Sequence, residues 1–263
     1  MKNDVKGKSR KTRIDQLLVE RGLVETRESA QRLILAGKVK IGYQFAQKAG
    51  QRVDPDAEVH LLETLKYASR GGIKLEKALD SFQIDVADKV ILDVGASTGG
   101  FTDCVMQRGA RRVFAVDVGY GQIAWKLRQD PRVTVMDRMN ARNLERSLFP
   151  EDIDLVVMDV SFISVTKILP ALLSITDEAA VLIKPQFEAG PRDVPSGGVI
   201  RDPQTHRRVL SDFYQRLEGW NVHGLIDSPI LGGSGNREFL VHLKKTNGCT
   251  EKEYTHRVNT LLA

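Results

Sequence analysis

The chain has 263 residues, of which 41% are hydrophobic and 28% charged, as is ordinary for a globular protein of one large domain or two smaller ones. No uninterrupted apolar run approaches the roughly 18 residues of a membrane helix, and the basic start MKNDVKGKSRKTR lacks the apolar core of a secretory signal, so we expect neither a membrane span nor secretion. Cys104 and Cys249 are isolated and the five histidines are scattered, which favours a cytoplasmic location and predicts no metal site.

The net charge of +5 is unevenly distributed along the chain. Residues 1–70 contain 15 lysines and arginines against 9 acidic residues, whereas the rest of the chain contains 24 against 25. The basic excess therefore lies in the first quarter, which indicates a polyanionic partner for that segment. A solvated basic face is the alternative, and charge alone does not decide between the two.

The first quarter is predicted to be a small α+β module behind a tail. Residues 1–11 lack apolar periodicity and are predicted to be a flexible basic tail. TRIDQLLVERGL then predicts a helix with Thr12 as N-cap, and TRESAQRLILAGKV predicts a second helix with Thr26 as N-cap, each ended by a glycine. The strand-like pieces KVKIG and EVHLLE follow, so residues 12–66 form a compact module near the lower size limit for independent folding.

This order of helix, helix and strand resembles the small RNA-binding module of ribosomal protein S-four, also called the alpha-L motif. The matching stretches are RIDQLLVERGLVETRESAQRLILAGKVKIG and VDPDAEVHL. The resemblance implies binding to structured RNA through basic helices, with a protein-interaction module of similar shape as the alternative. The basic side chains on the helices or at the turn into the strand are Arg13, Arg21, Arg27, Arg32, Lys38 and Lys40.

From residue 67 to about residue 245, strand and helix patterns alternate. Gly71 and Gly72 are expected to break the structure before the helix IKLEKALDSF. The strands KVILDVG, RVFAVDVG, RVTVMD, IDLVVMDVS, AAVLIKPQF and REFLVHLKK are separated by helical stretches such as GGFTDCVMQRG and GQIAWKLRQD. This alternation predicts an α/β fold, a doubly wound parallel sheet with helices on both faces. NVHGLIDSPI and LGGSGNREFLVHLKK predict a terminal hairpin that gives the sheet an antiparallel edge.

The first of these strands runs into the glycine-rich turn DVGASTGGF. A P-loop would end in Lys-Ser or Lys-Thr, which is absent, and a dinucleotide fingerprint would need a second glycine where Ser97 stands. The turn resembles instead the D-x-G-x-[GS]-x-G pattern with which class I methyltransferases hold S-adenosylmethionine, whose adenosine and methionine parts the backbone can approach closely at glycine. The predicted contacts are Asp93, toward the cationic amino end directly or through water, and Gly95, Ser97, Gly99, Gly100 and Phe101.

Two later strands would complete the cofactor site. The second strand ends at Asp117, where a carboxylate can accept hydrogen bonds from ribose hydroxyls. After the third strand, a polar side chain of VMDRMNARNL, Asp137 or Asn140, would face the adenine amino group. The alternative for Asp117 is a turn or helix-capping carboxylate.

Four charged residues stand at the ends of apolar elements. Asp159 and Lys184 end the strands LVVMDVSF and VLIKPQF, Glu238 lies in GNREFLVHL, and Lys74 opens the helix before the first strand. A charge at the end of a buried strand is costly unless it is paired, so we expect these side chains to converge on the cleft. The alternative is a structural set of salt bridges at the end of the sheet.

A family resemblance joins these parts. In chain order, SRGGIKL, DVGASTGGFTD, VDVGYGQ, DVSFIS, LIKPQFE, GGVIRDP and GNREFL resemble the TlyA family, whose members join the small RNA module to an FtsJ-like, class I (Rossmann-like) methyltransferase domain, here residues 67–245. The resemblance implies 2′-O-methylation of cytidine in ribosomal RNA or ribosomal subunits, with Lys74, Asp159, Lys184 and Glu238 as the Lys-Asp-Lys-Glu tetrad of ribose methyltransferases. Residues 246–263 carry no recognised motif and are expected to be a C-terminal helix or tail.

The implied chemistry suits a lysine base. A ribose hydroxyl must lose its proton as its oxygen attacks the sulfonium methyl group, and a lysine accepts a proton only when it starts neutral, which burial and a nearby ammonium favour. We assign Lys184 as the base and Lys74 as the group that polarises the hydroxyl, with Asp159 and Glu238 orienting them. Two other functions stay open: an RNA-binding ribosome-assembly factor without catalysis, and a membrane-active haemolysin, as family members are often labelled. The oligomeric state is not predicted.

Overall fold

The computed structural model describes residues 11–35, 37–61, 66–190 and 193–263. Within the described chain two compact units are separable, the first up to residue 65 and the second from residue 66 to residue 263. Most of the predicted basic tail, residues 1–10, lies outside the described residues. So do the last residues of the strand predicted from EVHLLE.

The first unit packs two short helices against small antiparallel sheets. Apolar side chains at helical spacing, among them Leu17, Leu18 and Leu33, are buried together and form its core. Strands β1 and β4 pair with each other, and β3, β2 and β5 form a second sheet in that order. The elements are β1 Thr12–Arg13, α1 Ile14–Glu20, α2 Arg27–Leu35, β2 Val39–Ile41, β3 Gln44–Phe45, β4 Arg52–Val53 and β5 Val59–Leu61.

The two predicted helix caps of this unit have different outcomes. Thr26 is confirmed as a cap, because its hydroxyl accepts a hydrogen bond from the Ser29 amide at 3.2 Å. The prediction for Thr12 is wrong, because Thr12 pairs with Val53 in a strand and the residue before α1 is Arg13, which makes no side-chain cap. Pairing with Val53 thus holds the backbone of Thr12 in a strand, although the preference of threonine for helix starts had predicted an N-cap there.

The second unit alternates strands with helices, as predicted. The first helix of this unit, α3, begins at Gly71, and each of the strands β6 to β10 is followed by a turn or a helix. The elements are α3 Gly71–Phe82, β6 Val90–Val94, α4 Gly100–Gln107, β7 Arg112–Asp117, α5 Trp125–Arg128, β8 Val133–Asp137, β9 Leu155–Met158, α6 Leu169–Leu172, β10 Glu178–Ile183, α7 Pro185–Glu188, α8 Pro203–Gln215, β11 Asn221–Asp227, β12 Phe239–Lys244 and α9 Glu251–Leu261. Three short 3₁₀ turns, Ala141–Asn143, Arg146–Leu148 and Val165–Lys167, complete the described set.

The strands of the second unit form one sheet of seven in the described residues, in the order β11-β12-β10-β9-β6-β7-β8. The five strands from β10 to β8 are parallel, which confirms the doubly wound α/β fold. The hairpin of β11 and β12 is also present, but its antiparallel member β12 lies between β10 and the edge strand β11. The predicted hairpin therefore forms the antiparallel edge of the sheet, with β12 as its inner strand and β11 as its outer strand.

Helices cover both faces of this sheet. Side chains of α3 and α4, such as Leu75 and Val105, pack on one face, whereas those of α8 and α9, such as Phe213 and Tyr254, belong to the core on the other. Contrary to prediction, Gly71 and Gly72 do not interrupt the structure but begin α3. A glycine is needed at 72, because a Cβ there would lie 2.3 Å from the ring of Tyr67.

Candidate active site

The sheet topology brings the glycine-rich turn beside Asp159. From β6 the chain adds β7 and β8 on one side of the sheet, and it then returns to add β9 and β10 on the other side of β6. The order of the strands therefore reverses between β6 and β9, which is the topological switch point. Ligands of such sheets bind beyond the carboxyl ends of the strands at this point. Gly95 follows β6 and Asp159 follows β9, and the Asp159 amide donates to the carbonyl of Val94 at 3.0 Å.

Close backbone approach explains the first glycine of the turn. Gly95 has a φ of 85°, and a Cβ there would lie 2.5 Å from the backbone oxygen of Asp159. Ser97 occupies the left-handed region at a φ of 47°, although it is not glycine. This unusual conformation turns the Ser97 amide toward Asp117 Oδ2, which accepts it at 2.8 Å.

The carboxylate of Asp117 fixes two loops at once. Besides the Ser97 amide, it accepts the Gly119 amide through Oδ1 at 2.7 Å. Asp117 is partly exposed and lines a cavity of about 600 Å³. It therefore makes the turn contacts that the sequence left as an alternative, and it also lies on a cavity wall, where a remaining lone pair can accept from a ligand hydroxyl.

Two adjoining cavities meet at the topological switch. The larger, of about 600 Å³, extends from the glycine turn along the ends of β7 and β9. The smaller, of about 240 Å³, extends from the same turn to the start of α3. Both are lined by Gly95, Ser97, Asp159 and Ser161, so a ligand in one cavity can meet a ligand in the other at these residues.

The four predicted catalytic residues form two lysine–carboxylate pairs. Lys74 Nζ donates to Glu238 Oε2 at 2.5 Å, with side chains 10% and 3% exposed. Lys184 Nζ lies 2.6 Å from Asp159 Oδ1, with side chains 11% and 20% exposed, and donates to Ser161 Oγ at 2.9 Å. Oδ1 has no aligned hydrogen bond among the described residues, so its contact to Lys184 is an ion pair without good hydrogen-bond angles. Lys74, Lys184 and Asp159 line the smaller cavity.

Buried lysine–carboxylate pairs contribute little free energy of folding when their only role is structural. Removing two charges from water costs several kcal/mol per ion, about as much as their attraction returns, and a hydrophobic pair would often be as stable. Here both lysine ammonium groups reach one cavity from different elements, α3 and the turn after β10. The arrangement can therefore bind, orient and deprotonate a hydroxyl placed in the smaller cavity.

The residues present fit the predicted cofactor. Asp93 is fully buried, its Oδ2 accepts from Thr102 Oγ1 at 2.6 Å, and its Oδ1 has no partner among the described residues. Burial raises the pKa of Asp93 to about 7. An unsatisfied buried carboxylate oxygen next to a glycine cradle suits a ligand with a cationic group, and the larger cavity offers Asp117 for ribose hydroxyls.

The structure does not bring every predicted cofactor residue to a cavity wall. Asn140 lines the larger cavity, whereas Asp137 lines neither described cavity and forms an ion pair with Arg128 at 2.9 Å. Asp137 lies within the ladder of β8 and β7, so its side chain is directed by the strand and not by the loop that follows. Asp93 and Gly99 likewise line neither cavity. Of the other predicted residues of the turn, each lines at least one of the two cavities: Gly95, Ser97, Gly100 and Phe101.

Several wall residues were not predicted. Ser161 and Phe162 directly follow the strand end at Asp159, so their position after a buried strand was a usable signal. Arg70 and Leu231 come together from distant segments, since the Arg70 guanidinium donates to the Leu231 carbonyl at 3.1 Å, and nothing local predicts such a pair. Further unpredicted wall residues are Ser69, Val118, Gln122, Met139, Arg142 and Ile163.

In the first unit, several predicted RNA-binding arginines have internal partners. Arg13 makes two hydrogen bonds of 2.9 Å to the buried carboxylate of Asp15, and Arg27 makes a third at 3.1 Å. Hydrogen bonding with Arg13 holds the pKa of Asp15 well below its usual range. Arg21 donates to the carbonyls of Pro55 and Ala57.

These arginines remain half-exposed in spite of their partners. The side chains of Arg13 and Arg27 are 41% and 51% exposed. Arg32 donates to Ser29 Oγ at 3.1 Å, Lys40 lies 5.1 Å from the ring centre of Phe45, and Lys38 stands just before β2. Internal bonds of this kind preorganise guanidinium groups without removing their charge.

In the described residues we find no helix long and apolar enough to span a membrane. Nor does any group of three or more histidine, cysteine, aspartate or glutamate side chains stand where it could hold a metal ion, again within the described part of the chain.

Comparison with known families assigns both parts of the chain. Residues 67–245 match the FtsJ-like methyltransferase family, and residues 12–59 match the S4 domain. The chain is 49% identical over 89% of its length to a candidate rRNA methyltransferase of Bacillus subtilis, YqxC, of which the match covers 86%. It is 44% identical over 90% of its length to the 16S/23S rRNA (cytidine-2′-O)-methyltransferase TlyA of Mycobacterium tuberculosis, 91% of which is covered.

Solved structures agree with the sequence comparison. A Streptococcus thermophilus protein described as a candidate hemolysin matches with a TM-score of 0.72 at 43% identity, over 95% of each chain. A match of this extent and identity spans both units and the cofactor turn between β6 and α4. The chain thus belongs to the FtsJ-like methyltransferase family, in its TlyA group, and its second unit is an S-adenosylmethionine-dependent methyltransferase.

Proposed function

We propose that the protein methylates the 2′-hydroxyl of a cytidine ribose in ribosomal RNA. The observation that carries the proposal is the convergence of two lysine–carboxylate pairs on a small cavity that adjoins the cofactor cavity. A weakly acidic hydroxyl needs this kind of site, whereas methyl transfer to a ring nitrogen with a free lone pair does not. The name of the M. tuberculosis relative supports the choice of cytidine and of ribosomal RNA.

The larger cavity would hold the cofactor. This cavity is lined by Asp117, Asn140, Gly95 and Ser97. Asp117 would accept hydrogen bonds from the ribose hydroxyls and Asn140 one from the adenine amino group, while the turn at Gly95 and Ser97 would contact the remainder. Asp93 lies fully buried beneath that turn, where a bound cationic group would favour its ionised form. When bound, S-adenosylmethionine supplies an electrophilic methyl group on a positively charged sulfur.

The smaller cavity would hold the ribose. Lys184 Nζ, once it is in the neutral amine form, takes the proton of the 2′-hydroxyl and becomes an ammonium group, while the Asp159 carboxylate and Ser161 Oγ hold it at 2.6 and 2.9 Å. Lys74 donates a hydrogen bond to the same hydroxyl oxygen and stabilises the negative charge that develops on it. Glu238, 2.5 Å from Lys74 Nζ, sets the direction of that donor.

The first unit would supply most of the affinity for RNA. Its half-exposed arginines on α1 and α2 are held in place by Asp15 and by backbone carbonyls, so less side-chain entropy is lost on binding. We propose the boundary between the RNA-binding and methyltransferase domains near residue 66 and expect the enzyme to act in the cytoplasm, where ribosomal RNA is available.

The test is methyl transfer to defined RNA. Purified protein is incubated with S-adenosylmethionine carrying a labelled methyl group and with ribosomal RNA, free and in isolated subunits, from cells that lack the gene. We expect label on a cytidine ribose, recognised because 2′-O-methylation makes the following phosphodiester resistant to alkali. Label on a base, or no transfer to any of these RNAs, contradicts the proposal.

A further inference from the structure

The turn that carries Lys184 and the loop that carries Asp159 are joined by a second, more distant link. Glu188, the last residue of α7, reaches the loop after β9. Its Oε2 accepts from Ser164 Oγ at 2.5 Å, and its Oε1 accepts from the Val165 amide at 2.8 Å. Both oxygens of one carboxylate thus bind successive residues of a different element.

This carboxylate is retained at a cost. Glu188 is partly buried, and burial raises its pKa in spite of the hydrogen bonds from Ser164 and Val165 and the positive charges of Arg216 and Lys167. A neutral side chain would avoid that cost. What a neutral apolar side chain could not supply is a pair of acceptors for Ser164 Oγ and the Val165 amide.

The link completes a ladder between two chain segments. From the cavity outward, Lys184 contacts Asp159 and Ser161, and the ring of Phe187 lies 5.1 Å from that of Phe162. The Glu188 bonds to Ser164 and Val165 form the last rung. Five residues of one segment are in this way held in register with seven of the other.

The loop needs such a constraint. Phe162 has a φ of 64°, a conformation that costs a non-glycine residue on the order of 1 kcal/mol or more and persists only where the surroundings impose it. Phe162 as a residue is 91% exposed, so burial does not impose this conformation. The Val165 amide also opens the 3₁₀ turn Val165–Lys167, and Glu188 satisfies it.

We propose that Glu188 is a positioning residue for methyl transfer: it holds the 159–164 loop in register with the Lys184 turn, so that Asp159 and Ser161 orient the Lys184 amine. The inference rests on the proposed roles of Lys184 and Asp159. Glu188 itself lines neither cavity among the described residues and so acts through the loop.

Three variants separate positioning from stability. Glu188→Ala removes both hydrogen bonds, and we expect kcat with saturating cofactor and ribosomal RNA to fall 10- to 100-fold, since displacement of a catalytic group by about 1 Å has effects of this size. The KM for RNA should stay within about threefold. Glu188→Gln keeps an acceptor for the Val165 amide and a donor for Ser164 Oγ, so it should restore kcat to within about threefold.

Glu178→Ala is the matched control. Glu178 begins the strand that Lys184 follows, and it accepts from His242 at 2.7 Å and pairs with Lys244 at 3.1 Å, but at the opposite end of β10. Its loss should lower the melting temperature while kcat at a permissive temperature stays within about threefold. A fall in kcat as large as that of Glu188→Ala would overturn the proposal, as would full activity of a folded Glu188→Ala.

Two further measurements keep the proposal testable. If Glu188→Ala does not fold, Ser164→Ala removes only one of the two hydrogen bonds that Glu188 accepts, and an unchanged kcat in that variant counts against positioning. If the unaltered protein transfers no methyl group to ribosomal RNA, the proposed function fails, but the positioning claim is still decided by crystal structures. In those, the Lys184 Nζ to Asp159 Oδ1 distance should exceed 4 Å in Glu188→Ala and stay near 2.6 Å in Glu188→Gln.

Discussion

Lys184 has two partners at its ammonium group, the carboxylate of Asp159 and the hydroxyl of Ser161. A lysine that only forms a salt bridge can be replaced by arginine, which is permanently charged and binds carboxylates well. A lysine that accepts a proton cannot be replaced in this way. The side chain is nearly buried, so either substitution acts on the same closed environment.

We therefore expect Lys184→Ala and Lys184→Arg both to lose methyl transfer by at least a thousandfold while calorimetry shows nearly unchanged cofactor binding. Circular dichroism melting should show both variants folded. Adding Asp159→Ala to Lys184→Ala should cost little more, because the two residues act as a unit. Substantial turnover by Lys184→Arg would remove Lys184 as the base and leave Lys74 as the next candidate.

Asp93 makes the stability of the second unit depend on pH. An aspartate in an unfolded chain has a pKa of about 3.9, whereas burial raises that of Asp93 to about 7 in the folded protein. Between these values the folded state holds a proton that the unfolded state has released. The contribution of Asp93 is therefore present below about pH 4, is lost as pH rises to about 7, and is constant above that.

Asp93→Asn should remove this dependence, because an amide accepts the Thr102 hydroxyl without titrating. Between pH 5 and pH 7.5 the stability of the variant relative to the unaltered protein should rise by up to about 2.5 kcal/mol, because about two of the three pH units that separate the two pKa values lie in this range. Urea unfolding of both proteins at the two pH values measures the difference. An equal change in both proteins would mean that Asp93 is ionised throughout and is stabilised by groups other than Thr102.

At the scale of elements, α9 is an integral part of the second unit. Its Tyr254 is 1% exposed, stacks on Tyr214 at 4.5 Å and donates to the Leu210 carbonyl at 2.9 Å. Arg237 binds the Leu261 carbonyl at 2.7 Å and Asp227 with two more bonds, so the helix end is tied to the strand that follows Glu238. The helix lies beyond the matched range of the methyltransferase family, residues 67–245.

Tyr254→Ala should cost the second unit about 3–5 kcal/mol, the usual loss for a large buried aromatic side chain. Tyr254→Phe keeps the ring and loses one hydrogen bond, so its cost should be about 1 kcal/mol. Guanidinium unfolding followed by circular dichroism measures both. A cost below 1 kcal/mol for Tyr254→Ala would show that α9 is only loosely docked.

Local sequence signals predicted elements well where one pattern dominates. The apolar strands β6, β7, β9 and β10 and the amphipathic helix α3 follow from their periodicity. The start of α9 could also have been predicted from the capping box Thr250–Glu253, in which each side chain binds the other's backbone amide. Thr12 and Gly72 could not be predicted, because a strand partner 41 residues away and the ring of Tyr67 decide their conformations.

For the whole molecule, the alternation of strands and helices predicted the doubly wound sheet, since parallel strands need crossover connections. The same topology explains why these charged side chains come together: Asp159 and Lys184 follow the parallel strands β9 and β10, and Glu238 precedes the antiparallel strand β12, so all three lie at the same end of the sheet. The sequence left Asp137 and Asn140 as alternatives, because the course of the turns after β8 decides that Asn140 lines the larger cavity while Asp137 pairs with Arg128. The insertion of β12 inside the edge likewise depends on pairing, which periodicity does not encode.

Division of labour between the two units gives the last prediction. A fragment that begins at Lys66 contains the second unit with both cavities and all four charged residues. It lacks residues 1–65, which hold 13 lysines and arginines against 9 acidic residues and so most of the basic excess of the chain. We expect it to bind S-adenosylmethionine within about threefold of the full chain but to lose most affinity for ribosomal RNA.

Salt dependence distinguishes electrostatic binding from a loss of folding. For the full chain, the logarithm of RNA affinity should fall steeply and linearly with the logarithm of salt concentration, because each neutralised phosphate releases counterions. The slope for the fragment should be clearly smaller, while its cofactor affinity, measured by calorimetry, reports that it is folded. In the full chain, Arg32→Ala should reduce the magnitude of this slope by up to about one, the value for one phosphate contact, without changing cofactor affinity. A fragment that binds ribosomal RNA as tightly as the full chain, with the same slope, would place the RNA-binding surface on the methyltransferase unit and contradict the assignment of the first unit.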